Sequence, residues 1–301
     1  MRHVPVLLGE VIESLQLKPG MNVIDGTLGD GGHSEKILEA TAPNGKILGI
    51  DADPESLLRA KQFLYAFDPR VIFVRDNSSR IKEIVAENAF VPVNGILLDL
   101  GWSSPQFEER GRGFSFLKDE PLNMRYPGDM DEPGAADILN TNTEEELEAI
   151  FREYGEESLS KEIAKAIVET RKTKAIERTT DLVNCILDVY RKKLKSTKDI
   201  PWVGGLHPAT KVFQALRIAV NHELDVVEKI IPDAAEVLAP GGRLAIITFH
   251  SLEDRIVKHK FKQMCNQGFR LITNKPIVCG EKEYEENARA RSAKLRVIEK
   301  I

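Results

Sequence analysis

The sequence predicts an α/β protein, a mostly parallel sheet covered by helices, with an all-helical domain inserted into it. Three observations carry this. Short apolar runs alternate with helical patterns as far as Leu100, as in a parallel sheet whose crossovers are helices. From about Phe114 to His207 no convincing apolar strand is found and helical patterns take over, after which the alternation resumes. A glycine-rich turn follows the first apolar run, where sheets of this kind bind ligands.

The elements follow in order. Gly9 to Leu15 reads as a helix ahead of the turn Lys18-Pro-Gly20. Val23-Ile24 is a buried strand, and His33 to Ala40 has helical composition. Lys46 to Asp51 is the second strand; Pro54 opens a helix, its fixed φ suiting the first turn. Val71 to Arg75 is the third strand, Ser79 to Asn88 a helix, and Gly95 to Leu100 the fourth strand. In the helical stretch, Thr143-Glu-Glu-Glu146 is a capping box. Ser160 to Thr170 is an amphipathic helix, and Thr180 caps another carrying Leu182, Val183, Ile186, Leu187 and Tyr190. A long helical region from Thr210 to Leu238 ends at Ala239-Pro-Gly-Gly242. Arg243 to Phe249 is the fifth strand, and Ser251 caps the next helix. Phe269 to Thr273 and Lys294 to Glu299 are closing strands around a charged connection, making a seven-stranded sheet. The domains expected are 1–113 with 208–301, and the insertion 114–207.

The stretch Asn22-Val-Ile-Asp-Gly-Thr-Leu-Gly-Asp-Gly-Gly-His-Ser34 organises the ligand site. Its glycines run G-x-x-G-x-G-G, which does not fit the dinucleotide fingerprint G-x-G-x-x-G. Asp51, ending the second strand, stands where a carboxylate accepts both hydroxyls of a ribose. A ribose-bearing cofactor without a pyrophosphate needs that acid and not the dinucleotide turn; S-adenosylmethionine fits. Strand-end acids and glycine turns are common singly, so the ordered pair carries the reading.

Composition bounds the function classes. No apolar run approaches the ~20 residues of a membrane span, and the N-terminal residues lack a secretory signal's apolar segment, so a cytoplasmic protein without membrane contact is expected. Cys185, Cys265 and Cys279 are too scattered for a zinc site or disulfide framework, and no metal is expected. The net charge of −5 argues against a generic nucleic-acid binder, yet it is unevenly spread. Lys161 to Lys198 holds 11 Lys and Arg against 5 Asp and Glu, and Arg255 to Lys300 holds 12 against 5. Two basic surfaces on an acidic protein can steer an anionic polymer, though such runs are also ordinary solvated helix faces.

From Asp99 onward longer motifs accumulate: Leu98-Asp-Leu-Gly-Trp-Ser-Ser-Pro-Gln106, Arg112-Gly-Phe-Ser-Phe116, Pro121-Leu-Asn-Met-Arg125, the segment His207 to Asn221, Phe249-His-Ser-Leu-Glu-Asp-Arg255 and Ala290-Arg-Ser-Ala-Lys-Leu-Arg296. Together they resemble the ribosomal RNA small subunit methyltransferase H family over nearly the whole chain. The resemblance implies a class I S-adenosylmethionine-dependent methyltransferase fold and methyl transfer to cytidine N4 in bacterial 16S ribosomal RNA, free or in the small ribosomal subunit. Its cofactor contacts fall on Gly31, Gly32, His33, Asp51, Ser78, Asp99 and Gln106. Ser78 departs from the family, where an aromatic residue commonly flanks the adenine, and Trp102 replaces a small aliphatic residue. Asp99, Ser103 and Ser104 are the candidates for orienting the acceptor amine, the serines serving equally well as turn caps. His250 is left out of the catalytic set; Asn123 and Arg125 are substrate contacts or junction residues. DNA amino-methylation and a non-catalytic role in ribosome assembly remain alternatives, and oligomeric state is open, a dimer included.

Overall fold

The structure is a computed structural model and describes residues 4–100, 111–126, 132–195 and 206–301. The chain divides into two compact units, one of Met1–Ser103 with Leu224–Ile301, the other Ser104–Glu223.

The first unit is built on β1 (Val23–Asp25), β2 (Ile47–Asp51), β3 (Val71–Arg75), β4 (Val93–Asp99), β5 (Leu238–Thr248), β6 (Phe269–Leu271) and β7 (Lys294–Lys300). Their order across the sheet is β3-β2-β1-β4-β5-β7-β6, parallel except that β7 runs antiparallel to both neighbours. Successive strand side chains face opposite sides of a sheet, so a strand apolar throughout must be covered twice. Ile24, Leu48, Ile50, Ile96, Leu98, Leu244 and Ile246 face one side, against α4 (Ile81–Glu87), α10 (Glu223–Val237) and α11 (Ser251–Met264). Val23, Ile47, Leu97, Ala245, Ile247, Leu295 and Val297 face the other, against α1 (Leu8–Leu15), α2 (Gly32–Ala40) and α3 (Pro54–Phe63). Each fully buried Val, Leu or Ile among them contributes roughly 1.5–3 kcal/mol.

The second unit packs α5 (Ala135–Thr141), α6 (Glu144–Glu153), α7 (Ser160–Arg171), α8 (Thr179–Leu194) and α9 (Thr210–Asn221) around Leu139, Leu147, Phe151, Ile163, Ile167, Leu182, Ile186, Val212 and Leu216. Thr143 caps α6 reciprocally with Glu146, as the capping box requires.

Several local expectations are corrected. The long helical region breaks at His222, whose φ of 49° is left-handed, into α9 and α10. Accordingly α9, expected in the α/β domain, packs in the helical core through Val212, Phe213 and Leu216. Thr180 is not the cap of α8; Arg178 is, and the Asp181 carboxylate accepts its amide. Likewise His250, not Ser251, caps α11. Finally, β5 begins at Leu238: Val93 pairs with Leu238 and Gly95 already with Arg243, so the Pro-Gly-Gly segment bulges out of a continuing strand.

Candidate functional site

Three strands adjacent in the sheet, β2, β1 and β4, each end in an aspartate: Asp51, Asp25 and Asp99. Parallel pairing puts these ends on one edge, with Asp25 level with Gly49 and Leu97.

The loop after β1 is fixed at both ends. Asp25 is 1% exposed and accepts the Ser34 hydroxyl at 2.7 Å and the Thr27 amide at 3.3 Å. Burial raises its pKa, and Ser34, His33 and the Thr27 amide oppose the shift. The Thr27 hydroxyl accepts the Asp99 amide at 2.7 Å, tying the loop to the end of β4. Gly29 and Gly31 have φ of 52° and 82°, left-handed values that other residues adopt at a cost. That turn aims the Gly29 amide at Asp51 Oδ2, 2.8 Å away. Gly31 caps α2, so the helix N-terminus follows the turn directly.

Asp51 is held from both sides. Oδ2 accepts Gly29 and Oδ1 accepts the Asp53 amide, also at 2.8 Å. Burial pushes its pKa up to about 6; the two amides lower it, while Asp53 and Asp25 raise it further. Asp53 caps α3 by accepting the amides of Glu55 (3.3 Å) and Ser56 (3.2 Å). Arg59 reaches back to Asp30 at 2.9 Å and lies 3.9 Å from Asp53. The edge is therefore rich in carboxylates. Such an edge suits a cationic nucleoside and repels a pyrophosphate.

The expected residues fare differently. His33 is buried in the first turn of α2, and its Nε2 lies 2.9 Å from the Val6 carbonyl, so its ring braces the fold. Gly32 is required by packing: a Cβ there would stand 2.4 Å from Pro5 Cγ. The segment carrying Pro5 and Val6 is clamped in turn, because the Leu7 amide donates to Glu283 Oε1 at 2.9 Å. Ser78 opens a 3₁₀ turn, and its Cβ lies 3.7 Å from where a Cβ on Gly26 would stand, at the end of β1. Ser103, Ser104 and Gln106 lie outside the described residues, as does Trp102.

His250 is a structural group: Nδ1 accepts the Glu253 amide at 3.5 Å and Nε2 lies 3.2 Å from Glu253 Oε1. Asn123 and Arg125 build a turn in the helical unit, Asn123 Oδ1 accepting the Arg125 amide at 3.0 Å and its Nε at 3.2 Å. Asp25, Thr27 and Asp53 were missed from sequence. Asp25 carried a signal as an acid ending an apolar strand, and Asp53 as an acid directly before the helix-opening Pro54.

Strand order, the glycine loop after β1 and the carboxylates ending β1, β2 and β4 define a class I methyltransferase fold. Residues 1–301 match the MraW methylase family, and the chain belongs to it. It is 44% identical over 318 residues to a protein of Clostridioides difficile, covering 99% of each chain. It is 46% identical to one of Desulfotalea psychrophila, covering 99% of this chain and 98% of that one. Both relatives are named ribosomal RNA small subunit methyltransferase H. Among solved structures, a SAM-dependent O-methyltransferase of Thermotoga maritima has a TM-score of 0.43 at 11% identity, covering 100% of this chain and 68% of that one.

Proposed function

We propose that this methyltransferase transfers a methyl group from S-adenosylmethionine to the exocyclic N4 of a cytidine in 16S ribosomal RNA. The observation that carries the cofactor is the glycine loop delivering one amide to a strand-end carboxylate, Asp51, that keeps a lone pair on each oxygen for a ribose diol. The RNA substrate is supported by the names of the relatives, and N4 by the resemblance of the motifs.

Asp51 would accept the ribose hydroxyls, and the α2 N-terminal turn would face the amino-acid moiety. S-adenosylmethionine supplies a methyl already activated on a sulfonium sulfur, so the protein's task is in-line alignment rather than strong-base catalysis. The cytosine N4 lone pair is delocalised into the ring. Asp99, ending β4, is assigned the N4–H: accepting it localises the lone pair and then receives the proton. Ser103 and Ser104 follow in the same loop as further acceptors. Reaching N4 requires an unpaired or extruded nucleotide. The inserted helical domain is assigned to substrate recognition, with Arg191, Lys192, Lys193 and Lys195 at the end of α8 holding flanking phosphates.

The test is transfer of labelled methyl to small ribosomal subunits lacking their native methylation, then nucleoside analysis, with Asp99→Ala as control. Label in N4-methylcytidine that disappears in the control supports both reaction and site. Label in DNA, or none despite cofactor binding, overturns the proposal.

A further inference from the structure

Most cations of the C-terminal basic region are engaged inside their own unit. Arg296 holds Asp254 at 2.6 and 3.1 Å, with Lys294 at 3.5 Å from the same carboxylate. Arg270 bonds Glu299, Lys300 bonds the carbonyls of Glu236 and Leu238, and Arg289 and Arg291 stand over Phe249 and Tyr284. The outer face of α11 is different. Lys258, His259 and Lys262 recur at helical spacing and all three are exposed, whereas Val257, Phe261 and Met264 are buried in the core. The helix has two acids, and neither balances that face: Glu253 is buried, and Asp254 is bound in by Arg296 and Lys294. Lys258 and Lys262 are like charges one turn apart, which repel, so the stripe opposes the helix that carries it. In the helical unit some cations are likewise engaged, with Lys172–Glu169, Lys174–Asp181 and Arg191–Asp188 all within 2.8 Å.

Position adds to charge. The helix starts directly after β5, whose Ile247 pairs with Asp99 of β4, so α11 begins at the edge that carries the carboxylates and its lysines follow about two turns along. From Lys258 to Lys262 the stripe runs ~6 Å at ~1.5 Å per residue, about the length of two stacked nucleotides at ~3.4 Å each.

We propose that this face of α11 is a phosphate track that guides the RNA strand to the methyl-transfer site, with Lys258 and Lys262 as its principal contacts. The inference rests on RNA being the substrate and adds a surface apart from the inserted helices.

The test measures binding of the full-length protein to unmodified 16S ribosomal RNA over a range of salt concentrations, for wild type, Lys258→Gln/Lys262→Gln and a control, Lys18→Gln/Lys46→Gln. The control removes the same charge from exposed lysines preceding β1 and β2, at the opposite edge of the sheet. Two lost single-strand phosphate contacts should lower the slope of log K against log salt by about 1.4 and weaken binding roughly 25-fold at ~0.1 M salt. Affinity for S-adenosylhomocysteine should stay at the wild-type value, showing the fold intact. An unchanged slope, an equal loss in the control, or wild-type binding with no salt dependence overturns the track. Methyl transfer to cytidine with an unchanged slope sinks the track alone. A reduced slope in a protein that methylates no RNA sinks the proposed reaction and leaves the track standing.

Discussion

Removing the Asp51 carboxylate should uncouple cofactor binding from the fold and from pH together. Its oxygens each accept one amide at 2.8 Å, leaving one further lone pair apiece. Two charge-assisted hydrogen bonds to a ribose diol, at about 1.5 kcal/mol each, give about 3 kcal/mol, so Asp51→Ala should weaken binding of S-adenosylhomocysteine roughly 150-fold. With the pKa near 6, the group is mostly ionised at pH 7 and mostly protonated at pH 5. If the diol binds the anion, wild-type affinity falls about tenfold over that interval, and Asp51→Asn abolishes the dependence. Stability has the opposite sign. The folded pKa lies above the ordinary 3.8, so this group stabilises the protonated fold at low pH, and that contribution is lost as pH rises through about 6. Calorimetric titration from pH 5 to 8 measures the binding side directly. An Asp51→Ala effect below about threefold, or a wild-type affinity that is flat from pH 5 to 7, would refute the assignment of this carboxylate to the ribose.

Gly32→Ala puts a Cβ 2.4 Å from Pro5 Cγ and should cost about 1–3 kcal/mol in denaturant unfolding, with part restored by adding Pro5→Ala; no recovery would mean that Pro5 is not what crowds the site. Arg243→Ala strips a buried guanidinium that donates to Glu299 at 2.8 Å and to the Ser14 carbonyl at 2.6 Å. It should destabilise by about 3–5 kcal/mol, and a thermal midpoint close to wild type would contradict this. Reversing charge at Arg191, Lys192, Lys193 and Lys195 should weaken RNA binding at least tenfold at low salt with unchanged cofactor affinity. Unchanged RNA binding would remove α8 from the interface.

How much of this was legible in the sequence depended on whether a residue's role is local. Val71 to Arg75 reads as a strand, and Thr143 to Glu146 as a helix start, because the deciding physics lies within a few residues. Helix α5 was missed: it is short and its N-cap is Gly134, so neither periodicity nor a polar cap announces it. The bulge in β5 was read only as the end of the long helical region, because only pairing with β4 keeps the strand going through Pro240 and the glycines after it. At the site, Asp51 was legible as an acid ending a strand. Thr27 was not, since its partner, Asp99, is set by strand adjacency rather than by spacing; Asp53, two residues from Asp51 and directly before Pro54, carried a local cap signal that was overlooked. His33 shows the reverse case: expected in the glycine loop, it lies in the first turn of α2, and the Val6 carbonyl beside its ring is 27 residues away in sequence.

The placement of β7 has a consequence for synthesis. The last strand of the sheet in sequence, β7, lies between β5 and β6, and among the described residues it is the only strand that pairs with β6. A growing chain that had released everything up to β6 would carry that strand without a pairing partner and a bare flank on β5, an edge prone to sticking to other chains. The clamp on the glycine loop would be equally late, because Glu283, which grips the Leu7 amide, is translated just before β7. Competence to bind the methyl donor would then arrive only after β7 has been released, making donor binding a readout of a completed sheet.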